Sequence, residues 1–467
     1  MYLLSRRDVE SKAFVLCGSV EGHERTALVG RAVILVPERA YEARTATRVV
    51  TSREFILPLL LRCAGEGLSC LEAHTHPWAE EACFSGIDDR SDAGKFRETE
   101  ALPAPFRHAT AVFGSGMGFS ARLWDRGLKR AVPVSRLTVV DAPLRFHRAQ
   151  GSAPEALSDH QAAVFDRQVR AFGADGQAML RDMTVAVVGA GGMGSEIDQT
   201  LALLGVGHLI LIDPDALEES NANRVVAVSG RDIGAGRPKV EAIAATLSAL
   251  CEPPRVTAVP ADVRERKVWP HLASADLIVG AVDSAAARHF LNAFCACALI
   301  PYIDAGVGIA VQDGKVEAAG GQVRTVLPGT TPCLSCLDRE LSERAAEEQA
   351  PEERELSRAA GYIHGERVPR PQVAFLNGVV AHALAWEVVK LATGCLSVAP
   401  YVEYDLAQPA LYPVVGAQRD PDCLVCSPAG LLGMGEAGLS GLDRERSGAR
   451  VPLPESDKEE NDGGDTE

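Results

Sequence analysis

Two hydrophobic rhythms divide the chain. Up to about residue 145, short β-rich runs (AFVLCG, RAVILVP, ATAVFG and LTVVDAP) alternate with polar stretches around one helical run, SREFILPLLLRCAGEG. This predicts an α+β domain over 1–145. The segment HRAQGSAPEALSDHQ mixes small, polar and proline residues and predicts a linker over 146–159. From Val185 the rhythm changes to TVAVVG, a helix, HLILID, a helix from Lys239, DLIVGAVD and a further helix. Such alternation predicts a Rossmann-like α/β domain over 160–427, a mostly parallel sheet with helices on both faces. The long apolar run QVAFLNGVVAHALAWEVVKLA is interrupted by Asn377, His382, Glu387 and Lys390. That predicts a helix buried against a sheet, not a membrane span. Beyond Ser427 glycine and charge dominate, and 428–467 is expected to form an acidic tail of little order.

Composition narrows the function classes. A chain of 467 residues exceeds one compact core, in keeping with two domains. The formal charge of −16 argues against nucleic-acid binding, which needs clustered Lys and Arg. The start, MYLLSRRDVESKAF, meets charge too soon for a signal peptide. Four of the twelve cysteines form two CxxC pairs and the rest are scattered, so a reducing, cytoplasmic setting is expected.

The string EAHTHPWAEEACFSGIDD carries the first chemical signal. His74 and His76 stand at i and i+2, so on a strand both imidazoles share a face. Asp88 follows after a loop as a third ligand. Two His and one carboxylate with an open fourth position make a catalytic zinc site, where bound water becomes a nucleophile near neutral pH. The whole string, His-x-His-Pro, then Ser85, then Asp88, resembles the JAB/JAMM (MPN-like) metallopeptidases, which cut after the C-terminal glycine of ubiquitin and its relatives. The gap to Asp88 is one residue longer than in the eukaryotic members. The resemblance implies an early glutamate as general base. Glu10 in VESKAFVLCG fits it, with Glu21 and Glu24 as competitors. It also implies that Ser85 donates to the oxyanion, its other reading being a helix N-cap.

TVAVVGAGGMGSEI follows a strand and opens a helix. Gly189, Gly191, Gly192 and Gly194 let the backbone approach phosphates, and Asp213 in LIDPD suits ribose hydroxyls. Alone, such a loop mostly indicates a dinucleotide-binding oxidoreductase. The residues that follow, ALEESNANRVV, GRPKVEA and VGAVDSAAARHFLN, with FDRQVRAFGADGQAML ahead of the loop, resemble the ThiF/HesA/MoeB and ubiquitin-activating superfamily over about 160–427. The resemblance implies that Asn221, Arg224 and Lys239 neutralise ATP phosphates and that Asp283 binds magnesium. It further implies that Arg167 reaches into a partner subunit's site, hence a homodimer. Cys333, Cys336, Cys423 and Cys426 in TPCLSCLD and PDCLVCSP make a closed tetrathiolate set, a structural zinc site; a redox dithiol is the alternative. Many relatives carry a catalytic cysteine between the first CxxC and the long apolar helix, but LDRELSERAAEEQAPEERELSRAAGYIHGERVPRP has none. This charged stretch reads as a mobile cover over the adenylation site.

Together these signals predict a bifunctional enzyme of a ubiquitin-like pathway using ATP, magnesium and two zinc ions. One half processes or removes a ubiquitin-like protein. The other adenylates its C-terminal glycine for transfer to a carrier protein or a sulfur donor. The competing expectations are an adenylating enzyme with a non-catalytic JAB-like docking module, and an NAD-dependent dehydrogenase with a zinc accessory domain.

Overall fold

A computed structural model describes residues 5–102, 106–116, 118–149, 156–349 and 371–446. The N-terminal part is built from β1 (Lys12–Glu21), β2 (Thr26–Leu35), β3 (Tyr41–Arg44), β4 (Val49–Thr51), α1 (Arg53–Gly65), β5 (Ser69–His76), α2 (Gly86–Thr99), β6 (His108–Gly114), β7 (Phe119–Asp125) and β8 (Arg130–Pro133). Six of these strands form one sheet in the order β2-β1-β5-β6-β7-β8, and β3 pairs with β4 separately. Phe14, Leu16, Leu59, Cys63, Leu68 and Cys70 form the core between α1 and this sheet. The apolar helix α1 was legible in the sequence. Helix α2 was not, because its run GIDDRSDAGKFRET is mostly polar and buries only Asp92, Phe96 and Thr99.

The two short strands β9 (Arg136–Val139) and β10 (Arg145–Arg148) pair antiparallel. The linker expected over 146–159 therefore begins as strand, and helix α3 (Asp159–Val164) starts at its far end. The rest of that span, 150–155, lies outside the described residues.

The C-terminal part contains α4 (Asp166–Asp182), β11 (Thr184–Val188), α5 (Gly192–Leu203), β12 (His208–Ile212), α6 (Gly230–Gly234), α7 (Lys239–Leu247), β13 (Arg255–Val259), α8 (Trp269–Ala273), β14 (Leu277–Gly280) and α9 (Ala285–Ala298). After them come β15 (Tyr302–Gln312), β16 (Lys315–Val326), α10 (Leu334–Leu337), α11 (Leu341–Gln349), α12 (Ala374–Thr393), β17 (Tyr401–Asp405), β18 (Ala410–Pro413) and α13 (Glu436–Arg446). Their eight-stranded sheet runs β13-β12-β11-β14-β15-β16-β17-β18. The strands from β13 to β15 pair in parallel, and β16–β18 extend the sheet antiparallel. Chain order reverses between β11 and β14, the crevice where open α/β sheets bind ligands. The long apolar run is α12. It buries Val380, Leu384, Val388 and Leu391 in the core that also holds Ile197 and Leu201 of α5.

Residues 428–446 correct the expected tail. Arg31 of β2 donates to the carbonyls of Pro428, Gly430 and Leu432. Gly18 N donates to Gly433 O, and Leu439 is buried among Phe294 and Cys297 of α9. Glycines in this stretch permit close backbone contact with β1, so the segment wedges between the two parts of the chain. Residues 447–467 lie outside the described residues. A second bridge is the buried Asp276 carboxylate, which accepts from Arg25, Arg136 and the Thr184 amide.

Candidate functional site

The N-terminal sheet gathers the first constellation. His74 and His76 end β5 on one face, and Asp88 lies on the first turn of α2. His74 Nε2 stands 3.3 Å from His76 Nε2 and 3.2 Å from Asp88 Oδ1, and His76 Nε2 is 3.5 Å from Asp88 Oδ2. Ligands about 2.05 Å from a tetrahedral zinc are separated by about 3.3 Å, so the three atoms fit one ion. Electrostatics agree. Burial alone would raise the Asp88 carboxyl, but hydrogen bonds from His74 and Ser85 hold it well below the usual range. Burial lowers the His76 imidazole and keeps it neutral, the ligating form.

Glu10 Oε1 is 3.9 Å from His76 Nε2, and burial pushes its carboxyl up to about 7. The two competitors are elsewhere: Glu21 pairs with Arg107, and Glu24 with Arg255. Ser85 is the N-cap of α2. Its hydroxyl donates to Asp88 Oδ2 at 2.7 Å and accepts from Asp88 N at 3.3 Å. Ser85 thus caps α2 and holds the Asp88 carboxylate, as the second of its two expected readings has it.

Sequence reasoning passed over Trp78. Its ring stacks on His76 at 5.1 Å and 19°, and its nearness to Glu10 partly offsets the effect of burial on that carboxyl. An aromatic residue directly after His-x-His-Pro was the available signal. A charged network behind the site was equally hidden. Glu72 of β5 pairs with Lys12 at 2.5 Å and with Lys95 of α2 at 2.7 Å, and Arg122 of β7 grips Asp89 and Asp92 of α2 at 2.6 Å each. These pairs fix α2, and with it Asp88, against the sheet.

The second constellation sits at the switch point. Gly189 has φ +98 and abuts the Ala281 carbonyl, and any Cβ on Gly194 would strike the Gly189 carbonyl. These glycines bring the first turn of α5 onto the strand ends. Asp213, at the end of β12, accepts from Ala190 N at 2.6 Å and from Asp215 N at 2.8 Å, which locks the loop to the acidic strand. Lys239 opens α7 with its ammonium 3.9 Å from Asp213 and 2.7 Å from Asp215. It is therefore paired with carboxylates at the place where a cation for the ATP phosphates was expected. Arg224 lies with its side-chain stem against Gly192, and Asn221 is buried, its Oδ1 accepting from Glu218 N at 3.0 Å. Asp283 is exposed just past β14. The structure thus brings Gly189–Gly194, Asp213, Arg224 and Lys239 to one edge. Arg167 is exposed on the first turn of α4.

One further carboxylate was invisible in the sequence. Glu348 of α11 accepts from Ser284 Oγ and from the amides of Ala285 and Ala286, covering the N-terminus of α9 beside Asp283.

Cys333, Cys336, Cys423 and Cys426 converge, with Sγ–Sγ distances of 3.8 Å (Cys333–Cys336), 3.7 Å (Cys333–Cys423) and 3.5 Å (Cys336–Cys426). Sulfurs about 2.3 Å from a tetrahedral zinc are about 3.8 Å apart, so the four fit a closed site. The site joins α10 to the 423–426 knuckle and closes the lower core.

A Gly-rich turn at the switch point, an acidic strand end and four converging cysteines that could hold a metal ion define a Rossmann-like α/β protein. Residues 165–425 match the ThiF family, and the chain belongs to it. It is 31% identical over 275 residues to the molybdopterin-synthase adenylyltransferase of Escherichia coli, covering 58% of this chain and 98% of that one. It is 32% identical over 137 residues to the SAMP-activating enzyme E1 of Haloferax volcanii, covering 29% of this chain and 46% of that one. It is 30% identical over 133 residues to the sulfur carrier protein ThiS adenylyltransferase of Bacillus subtilis, covering 28% of this chain and 36% of that one. The chain thus spans less than half the length of the last two relatives.

Proposed function

We propose that this chain is a bifunctional enzyme acting on the C-terminal glycine of a ubiquitin-like or sulfur-carrier protein. Its ThiF-family part adenylates that glycine at the expense of ATP. A terminal carboxylate oxygen attacks the α-phosphorus, the bond to the bridging oxygen breaks, and pyrophosphate leaves. The observation that carries this half is the switch-point lock, in which Asp213 holds the Gly-rich loop and Lys239 together at the strand ends. Arg224 and Lys239 would neutralise phosphate charge, Asn221 would donate to it, and Asp283 would hold the magnesium that accompanies the triphosphate. The names of the relatives, two of them adenylyltransferases, support the same reading.

The N-terminal part is a zinc peptidase of the JAB/JAMM kind, which processes or removes the same ubiquitin-like protein. What carries this half is the meeting of His74, His76 and Asp88 at ligand spacing with Glu10 beside them. Zinc there would supply Lewis acidity toward the scissile carbonyl and acidify water. Glu10 takes the water's proton and delivers it to the leaving amine. Trp78 steadies Glu10, and Ser85 keeps Asp88 in place.

The test is ATP–pyrophosphate exchange with a ubiquitin-like protein ending in a free glycine, run beside cleavage of a version extended past that glycine. Exchange that requires the free terminus, with cleavage lost on chelation, is expected. Exchange without any protein partner would sink the adenylation half, and chelator-resistant cleavage would sink the peptidase half.

A further inference from the structure

Helix α12 buries an amide whose NH₂ finds no acceptor among the described residues. Asn377, on its first turn, is 1% exposed, and its Nδ2 has no hydrogen-bond partner. Buried side-chain donors are nearly always paired, so an orphaned NH₂ marks a place where an acceptor belongs.

The surroundings say which acceptor. A Cβ on Gly192 would collide with Asn377 Nδ2 and would lie 3.2 Å from Cβ and Cγ of Arg224. The amide therefore rests against the first residue of α5, beside the stem of a cation. The first helical bond there runs from Ser195 N to Gly191 O, so the amides of Gly192, Met193 and Gly194 have no acceptor within the helix. Three backbone donors without an acceptor in the helix and a buried carboxamide donor thus lie together, beside the side-chain stem of Arg224. The positive end of a twelve-residue helix adds to the same potential. Only an anionic oxygen suits such a set.

We propose that Asn377 is a nucleotide-binding residue, its Nδ2 donating to an oxygen of the ATP phosphates seated on the first turn of α5. This rests on the adenylation reading above. It gives α12, otherwise an apolar packing helix, a direct contact with the substrate. The orphaned donor is a cost in the free protein that the phosphate oxygen removes.

The experiment is calorimetric titration of the full chain with magnesium and α,β-methylene-ATP, comparing wild type with Asn377→Leu and recording melting temperatures without ligand. Leucine is similar in volume and needs no partner. Affinity for the triphosphate should fall about tenfold, the usual size of a lost hydrogen bond to a charged group. The melting temperature should stay the same or rise, because a buried unpaired donor is gone. Affinity within twofold of wild type overturns the assignment. If the variant melts lower, adenosine decides. A loss confined to the phosphate-bearing ligand supports the contact, and an equal loss for adenosine overturns it. A wild type that binds no triphosphate overturns the adenylation reading and this assignment with it. A wild type that binds, with a variant that binds equally, overturns the assignment alone.

Discussion

Glu10 Oε1 stands 3.9 Å from His76 Nε2 at the edge of the three-ligand cluster, while its backbone N donates to Thr45 O just ahead of β1. Burial pushes the carboxyl up to about 7, which suits a base that must both accept and release a proton near neutral pH. Glu10→Gln should keep its zinc, since Glu10 is outside the ligand set, yet lose about 10²- to 10⁴-fold in cleavage of a ubiquitin-like precursor. Persisting activity, with Glu21→Gln or Glu24→Gln inactive instead, would remove Glu10 from the role.

The two metal sites should differ in character. Four sulfurs leave no open position, and three of the four cysteines are buried, whereas two His and Asp88 leave one. Mild chelation should strip the His74/His76/Asp88 site first. Elemental analysis of His76→Ala should show about one zinc equivalent fewer than wild type. Equal zinc contents would refute the ligand assignment and return the N-terminal part to a docking module.

Glu72 provides a stability test. Burial alone would raise its carboxyl, but Lys12 and Lys95 reverse this and hold it far below the usual carboxylate range. A depressed folded-state value means the stabilisation is present above the unfolded value of about 4.3 and is lost as pH falls through the lower folded one. Glu72→Gln leaves the buried Lys12 and the half-buried Lys95 ammonium groups facing a neutral amide. It should cost about 3–5 kcal/mol at pH 7 and less in acid. Urea unfolding at pH 7 and at about pH 2.5, well inside that window, measures both, and a pH-independent loss would contradict the pairing.

Much of this architecture was readable because its signals are local. The Gly-rich turn after TVAVVG, the i, i+2 histidines on β5 and the long, mostly apolar run of α12 each announce themselves within a short window. The failures share the opposite cause. Helix α2 is held by Arg122 and Lys95 pairing across to β7 and β5, so its polar sequence looked like a loop. Residues 428–446 are ordered by Arg31 and Gly18, about four hundred positions away in sequence, which no window reveals. Ser85 had two local readings, and its hydroxyl's contact with Asp88 Oδ2, which shows it as a cap, depends on how the loop folds back onto α2. Lys239 was recognised as a site cation, but its pairing with Asp215 depends on how α7 docks.

Asp283 and Arg167 allow a test of assembly. Asp283 is exposed beside the nucleotide crevice, and Arg167 is exposed on α4. If the active unit is a homodimer in which Arg167 completes the partner's site, Asp283→Ala and Arg167→Ala should each abolish ATP–pyrophosphate exchange. Mixed under exchange conditions, they should recover part of it, because a hybrid keeps one intact site. No recovery despite verified subunit mixing would count against a trans-acting Arg167.

The final prediction is an absence of thioester chemistry on this chain. Capture of the adenylated glycine by an enzyme thiol needs an exposed cysteine whose thiolate is favoured near the adenylate. No cysteine occurs between Leu337 and Gln372, the stretch that leads from the first CxxC to α12. Cys333, Cys336, Cys423 and Cys426 are gathered at metal-ligand spacing, which removes them as nucleophiles. Cys295 and Cys297 follow Asp283 on α9, but burial pushes the Cys297 thiol up to about 12 and the Cys295 thiol well above its ordinary range. Cys395 is exposed, but it stands past the C-terminal end of α12, whereas the Gly-rich turn meets that helix at its first turn, beside Asn377. The acyl-adenylate should therefore pass directly to a separate carrier or sulfur donor. Enzyme, ATP and partner should give no thiol-sensitive adduct on a non-reducing gel. An adduct that disappears with reductant, and also in Cys395→Ala, would restore a full thioester mechanism and locate its nucleophile.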